Sequence, residues 1–277
     1  MSTAIARKPT VLQYGPGSVG KTVQSIRAVP PERTFFLALE PGAFTPLLSP
    51  ELNPWRSASG KLMLPPTDQL VSCVDRDDPE DQVVRAVEQR LAPMVERGRV
   101  GAVVVSTVSA WAERMYDWRM GRTARDNYQN NAMLVARVCR DLMYRLFELD
   151  VIVIAEAHER PFTQGDDGRV KTGGPKLVPH DQSTQGFLTP FDTVLRARYT
   201  LRPGVRIRER FYECDPGHPE HEGRMRDRWD VCRAVEPMDL RTILRRVNAR
   251  AKGLELPPPA EFAAAPSNGA DAIEALV

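Results

Sequence analysis

The sequence is short of lysine, of cysteine and of long apolar runs, and each shortage excludes something. Only six of its 38 cations are lysine: Lys8, Lys21, Lys61, Lys171, Lys176 and Lys252. An arginine bias of that size reflects genome composition more than chemistry, so each surviving lysine gains in interest. Net charge is only +2, which excludes a uniformly basic surface. The four cysteines, Cys73, Cys139, Cys214 and Cys232, form no close-spaced framework and read as reduced thiols. No apolar run approaches the roughly 20 residues that cross a bilayer. Met1 to Thr10 carries Arg7 and Lys8 with no apolar stretch behind them, unlike a signal peptide. The expectation is a cytoplasmic protein without membrane contact. With 277 residues, 42% hydrophobic and 27% charged, the chain has the balance of a globular α/β protein.

What is present alternates. Short β-type runs at Thr10 to Tyr14, Thr34 to Leu39, Val100 to Val105 and Val151 to Ala155 are separated by stretches of helical period. Val84, Val87, Leu91 and Val95 follow an Asp78-Pro79 cap, and Leu134, Val138, Leu142 and Leu146 line a longer helix. Continuous apolar strands between helices predict parallel βαβ units, covered on both faces. After Ala155 a long polar segment, 158–186, has no helical period. Thr193 to Leu201 and Val205 to Cys214 then predict an antiparallel hairpin across Pro203-Gly204, and Pro237 to Arg250 an amphipathic helix. The expected organisation is one domain over residues 1–252 and a flexible acidic Pro/Ala-rich tail over 253–277.

One motif is specific. Gly15-Pro16-Gly17-Ser18-Val19-Gly20-Lys21-Thr22 fits G-x-x-x-x-G-K-[ST] at every fixed position, directly after a strand and opening a helix. Glycines let backbone N–H groups converge on phosphates, and the helix N-terminus adds positive potential. Lys21 is placed to reach the β and γ phosphates of ATP, and Thr22 to offer its hydroxyl to Mg²⁺.

With that loop placed, the following strands resemble RecA-type ATPases over residues 10–200. The segment TFFLALEPGAF (34–44) resembles their second strand, which ends in a glutamate that activates the attacking water. That resemblance makes Glu40 the catalytic carboxylate beside Lys21. VVVSTVSAW (103–111) resembles the Walker B strand, and Val151 to Ala155, followed by Glu156, Ala157, His158 and Glu159, resembles the sensor strand with its DNA-facing loop. His158 is then the sensor. The sequence FDTVLRARY (191–199) after GGPKLVPH (173–180) is similar to the close of small phage-encoded RecA-like ATPases, several of which act in single-strand annealing or recombination. The resemblance implies a RecA-like core with a C-terminal hairpin extension, ATP and Mg²⁺ as cofactors, single-stranded DNA as partner and homo-oligomeric assembly in a phage-infected bacterial cell.

There is one departure. The Walker B strand normally ends in an aspartate that holds Mg²⁺ through its water shell, and here the position is Ser106. Either an acid elsewhere substitutes, or metal binding and hydrolysis weaken by about a hundredfold. Two other readings therefore stand: a nucleotide-binding switch with little hydrolysis, or a protein-directed factor for helicase loading or packaging without DNA contact.

Weaker signals follow. Arg169, Lys171 and Lys176 in the 159–186 loop are candidates for a DNA backbone, diluted by Asp166, Asp167 and Asp181. Arg196, Arg198, Arg206, Arg208 and Arg210 fall at even positions, so a regular hairpin is expected to line them along one face. That face would track phosphates, reach a neighbour's nucleotide or merely stay solvated. Cys214, His218, His221 and Cys232 offer a zinc set of non-standard spacing. The tail end DAIEALV is a candidate dock for a protein partner.

Overall fold

The computed structural model describes residues 8–74, 78–122, 128–160, 163–164, 170–171, 174–177, 187–201, 208–215 and 225–262. Its parallel strands are β1 (Thr10–Gly15), β2 (Thr34–Ala38), β3 (Leu70–Ser72), β4 (Ala102–Ser106), β5 (Ile152–His158) and β8 (Thr193–Leu201). Two short strands, β6 (Thr163–Gln164) and β7 (Val170–Lys171), pair only with each other, between β5 and β8. Antiparallel strands β9 (Arg208–Glu213), β10 (Arg226–Asp227) and β11 (Val235–Pro237) extend the sheet beyond β8. The spatial order is β11-β9-β8-β1-β5-β4-β2-β3, with β10 on β8.

The helices are α1 (Lys21–Ala28), α2 (Thr45–Leu48), α3 (Pro79–Arg85), α4 (Ala92–Glu96), α5 (Val108–Met120), α6 (Tyr128–Glu148) and α7 (Leu240–Ala251). A π-helical stretch, Ala86–Leu91, joins α3 to α4. The expected cap is present: the Asp78 side chain accepts from the N–H groups of Glu80 and Asp81.

Alternation along each strand explains the layering. Val103 and Val105 join Leu12, Leu37, Val153, Trp111, Leu142 and Leu146 in a core under α5 and α6. Ala102 and Val104 point the other way and join Val11, Phe36, Ile154, Ile26, Ile243 and Val247 under α1 and α7. Each of the Val, Leu, Ile and Phe side chains contributes about 1.5–3 kcal/mol on full burial. The strands need no polar face because both faces are covered. This is the RecA-like α/β core that the sequence predicts, and the hairpin is continuous with it, since β8 runs parallel to β1.

The expected arginine face requires correction. Register pairs Arg196 with Glu213, Arg198 with Phe211 and Tyr199 with Arg210. Directly opposed residues share a face, so Arg210 lies on the opposite side of the hairpin from Arg196 and Arg198. Parity within each strand is as expected, but the register across the turn puts even positions of β8 opposite odd positions of β9. Arg206 lies outside the described residues. Of the expected tail, 253–262 is described: Leu256 packs on the core under α1 and α7, and Arg233 donates to the Ala260 carbonyl at 2.5 Å. Residues 263–277, including the candidate dock, lie outside the described residues.

Candidate functional site

The C-terminal ends of the parallel strands converge where open α/β sheets place their ligands. Gly15 ends β1 there because nothing larger fits: a Cβ on it would sit 2.3 Å from the Ala197 carbonyl of β8. The loop then turns through Ser18 at φ 58° and Gly20 at φ 102°, in the left-handed region that suits glycine. A Cβ at Gly17 would meet nothing within 4 Å, so that side of the loop is open. Pro16 and Val19 complete the loop; the Pro16 carbonyl accepts from Lys21, and the Val19 side chain packs into the core under α1.

Lys21 opens α1 and folds back over the loop, where its Nζ donates to the carbonyls of Gly15 at 3.0 Å and Pro16 at 2.9 Å. Burial lowers its pKa, opposed by the negative charges of Glu156, Glu40 and Glu159. A buried ammonium near three carboxylates and held, among the described residues, by loop carbonyls is suited to exchange those carbonyls for phosphate oxygens.

Beneath the loop lies a group that the sequence reading names only as a neighbour of His158. Glu156 of β5 is buried and accepts three hydroxyls: Thr22 Oγ1 at 2.7 Å, Ser25 Oγ at 2.5 Å and Ser106 Oγ at 2.9 Å. Burial raises its pKa, opposed by the bonds from Ser25 and Thr22, the charge of Lys21 and the bond from Ser106. The network continues into the hairpin. Gln13 of β1 donates to Ser25 Oγ at 2.5 Å and to the Lys21 carbonyl at 3.0 Å, and accepts from the Tyr212 hydroxyl at 2.8 Å. The relay from the Tyr212 hydroxyl through Gln13 and Ser25 ends on Glu156, and these bonds favour the charged carboxylate against its burial.

So the acid that Ser106 lacks is present one strand over. Ser106 ends β4, β5 lies between β4 and β1, and Glu156 sits on the face toward α1. A sequence signal existed. Within the apolar run Val151 to Ala155, Ile154 faces α1, and Glu156 two residues on shares its parity, so it is a charge on a buried face.

A second carboxylate sits at the same edge in a different environment. Glu40, just beyond β2, is half-buried; Thr107 Oγ1 donates to its Oε1 at 2.6 Å, and His158 Nε2 lies 3.3 Å from its Oε2. Burial would raise its pKa, but the bonds from His158 and Thr107, with the charges of His158 and Lys21, hold it below the ordinary value. Arg114 of α5 braces this corner by donating to the carbonyls of Leu39 at 2.8 Å and Cys73 at 2.5 Å. The expected contact between His158 and the phosphate-facing edge is thus a contact with Glu40 itself. Thr107, Ser25, Gln13 and Arg114 carried no sequence motif and were missed.

The segment after β5 leaves and returns at this corner. Arg160 N–H donates to the Gly174 carbonyl at 3.0 Å and Lys176 N–H to the His158 carbonyl at 2.7 Å. Ser109 Oγ accepts from the His158 N–H at 2.8 Å and donates to the Lys176 carbonyl. The Lys176 ammonium pairs with Glu113. Lys171 lies in β7, and Arg169 is outside the described residues. Across the sheet, buried Arg196 donates to Glu159 at 2.7 Å and Glu213 at 2.8 Å, tying the end of β5 to the hairpin. Burial raises the Glu159 pKa, opposed by Arg196.

The zinc set is not assembled among the described residues, where no group of three or more His, Cys, Asp or Glu is placed to hold a metal. His218 and His221 lie outside them, while Cys214 is buried and hydrogen-bonded to Cys232. No described helix is long and apolar enough to cross a membrane.

The donor set at the loop fits a nucleoside phosphate with Mg²⁺: an open glycine face, a buried ammonium, and the oxygen atoms of Thr22, Ser106 and Glu156, the kind a hard dication prefers. No family model matches the chain, and no curated protein matches it. Among solved structures, a KaiC-like protein from the hyperthermophilic archaeon Pyrococcus horikoshii is similar at 15% identity and a TM-score of 0.43, over 74% of this chain and 77% of that one. The fold class rests on this chain's own topology: a RecA-like α/β core that carries its phosphate-loop motif at the C-terminal edge of the parallel strands.

Proposed function

We propose that this protein binds ATP with Mg²⁺ and hydrolyses it, with Glu156 taking the place of the missing Walker B aspartate. The observation that carries the reading is the Glu156 carboxylate holding the Thr22 and Ser106 hydroxyls directly beneath the phosphate loop. Mg²⁺ would screen the β and γ phosphates there. Thr22, Ser106 and Glu156 are the residues that would hold the ion, with Glu156 supplying the negative charge that Ser106 lacks. Lys21 neutralises the phosphate oxygens on the other side.

Glu40 positions the attacking water. A carboxylate with a lowered pKa is a weak base but stays charged, and phosphoryl transfer through a loose transition state requires orientation more than proton abstraction. The water oxygen bonds to the γ phosphorus, the bond to the bridging oxygen breaks, and the water's proton leaves by way of Glu40 to solvent. His158 and Thr107 hold the carboxylate in place.

Coupling to single-stranded DNA is the finer part of the proposal. It is supported by two described parts of the 159–186 segment: Arg160 N–H donates to the Gly174 carbonyl, and Lys176 N–H to the His158 carbonyl. A change at Glu40 and His158 would pull on both of these attachments.

The test measures nucleotide binding and ATP turnover of the purified chain with Mg²⁺, with and without single-stranded DNA, beside Lys21→Ala, Glu156→Gln and Ser106→Ala. Mn²⁺ binding in the presence of ADP, followed by electron paramagnetic resonance, is expected to be lost in Glu156→Gln and retained within about tenfold in Ser106→Ala. Absence of nucleotide binding in the wild type overturns the reading. DNA affinity that does not fall with salt removes the DNA part.

A further inference from the structure

The hairpin brings one more cation to the phosphate loop. A Cβ built on Gly20 would lie 3.2 Å from a terminal guanidinium nitrogen of Arg210, 3.7 Å from its Cζ and 3.9 Å from its Cδ. The guanidinium of a β9 residue therefore rests against the last loop position before Lys21. Register explains how it gets there. Arg210 lies opposite Tyr199, on the hairpin face that continues through Ala197 and Tyr212, and these two pack with Val19 and Ile26 under α1. Arg196 and Arg198 face the other way.

Other arginines of the C-terminal part are engaged by carboxylates: Arg196 by Glu159 and Glu213, Arg228 by Asp192, and Arg233 and Arg246 by Glu236. Arg210 is exposed, and no carboxylate among the described residues pairs with it. A planar cation with five donors is thus held beside a glycine loop, with its charge left for something else.

Strand order indicates which part of a nucleotide it serves. The sequence across the sheet is β9-β8-β1-β5-β4, so Glu156, Glu40 and His158 stand on one flank of β1 and Arg210 on the other. The acids and Lys21 mark the γ-phosphate end. The opposite flank meets the phosphates that remain after hydrolysis.

We propose that Arg210 is a nucleotide-binding residue that donates to the diphosphate of a nucleotide seated on Gly15 to Thr22, and so holds ADP and ATP alike. This rests on the nucleotide reading above. The guanidinium offers the two-point geometry that phosphate oxygens accept. It approaches from a strand rather than a loop, and the Tyr212–Gln13–Ser25 hydrogen bonds fix that strand against α1. The hairpin therefore contributes to the site from within the same chain.

The experiment is an equilibrium titration of the full chain with a fluorescent ADP and with a non-hydrolysable ATP analogue, both with Mg²⁺. Wild type, Arg210→Ala, Arg210→Lys and Lys21→Ala are compared, with thermal melting of each protein without nucleotide. Arg210→Ala is expected to bind both nucleotides about tenfold more weakly. Its melting temperature without nucleotide is expected to be unchanged, and Arg210→Lys to recover part of the affinity. Wild-type affinity in Arg210→Ala, with loss in Lys21→Ala, overturns the assignment and leaves the nucleotide reading standing. No binding by the wild type overturns the nucleotide reading itself. A loss confined to the ATP analogue overturns the assignment to the diphosphate. Should Arg210→Ala melt early, Arg210→Lys decides: it keeps the charge but not the planar fork, and wild-type ADP affinity in it overturns the proposal.

Discussion

The two flanks of the phosphate-loop strand are built from opposite charges and by opposite logic. On the β5, β4 and β2 side the site is acidic, and each acid is held by hydroxyls: Glu156 by Thr22, Ser25 and Ser106, and Glu40 by Thr107 beside His158. On the β8 and β9 side two arginines stand on opposite faces of the hairpin. Arg196 is buried between two carboxylates, whereas Arg210 is exposed against Gly20. Residue type does not separate a structural arginine from a ligand-seeking one; strand register does.

The two carboxylates on the acidic flank teach the same lesson. Burial dominates at Glu156 and raises its pKa, while at Glu40 the hydrogen bonds and neighbouring positive charges outweigh burial and lower it. Environments that push two acids apart divide their work, here between holding metal waters and orienting the attacking water.

The largest expected effect breaks the pairing on the basic flank. Arg196→Met removes the partner of Glu159 and Glu213 and is expected to cost about 3 kcal/mol of folding stability in urea titration. Arg210→Met is expected to stay within about 0.5 kcal/mol of the wild type. Equal costs would erase the distinction between the two arginines.

Next comes the loop between the flanks. Lys21→Ala is expected to weaken ADP and ATP binding about a hundredfold, close to 2.7 kcal/mol, by calorimetric titration. Retained affinity would mean that the loop does not hold phosphate. Gly15→Ala drives a methyl into the Ala197 carbonyl and is expected to cost about 2 kcal/mol. An unaffected melting curve would show that β1 and β8 can part freely at that point.

The smallest effect separates the two acids. Between the ordinary value of 4.5 and its raised native value, Glu156 binds more protons folded than unfolded, so its contribution to stability falls as pH rises through that window. Glu40 contributes stability that is complete above 4.5 and lost as pH falls through its lowered native value. Without Mg²⁺, Glu156→Gln is therefore expected to be more stable than wild type at neutral pH, and Glu40→Gln less stable. Urea midpoints across a pH series check both, and a loss in Glu156→Gln would reverse the assignment.

The α/β alternation, the glycine loop between β1 and α1, the Asp78 cap and the strand-end places of Glu40 and His158 are legible in the chain before it folds. These depend on local chemistry: periodicity, turn residues and the N–H groups of a helix start are written within a few neighbouring positions. That Glu156 lies under Thr22 and Ser106, 134 and 50 positions away, depends instead on how the strands assemble. So does the meeting of His158 with Glu40, and the approach of Arg210 to Gly20 while Arg196 turns to Glu159 and Glu213. Those relations follow from strand order and register. A shift of one residue in the β8–β9 pairing would turn Arg210 to the other face and bring Glu209 and Phe211 round in its place, and parity within a single strand carries no information about the offset between two.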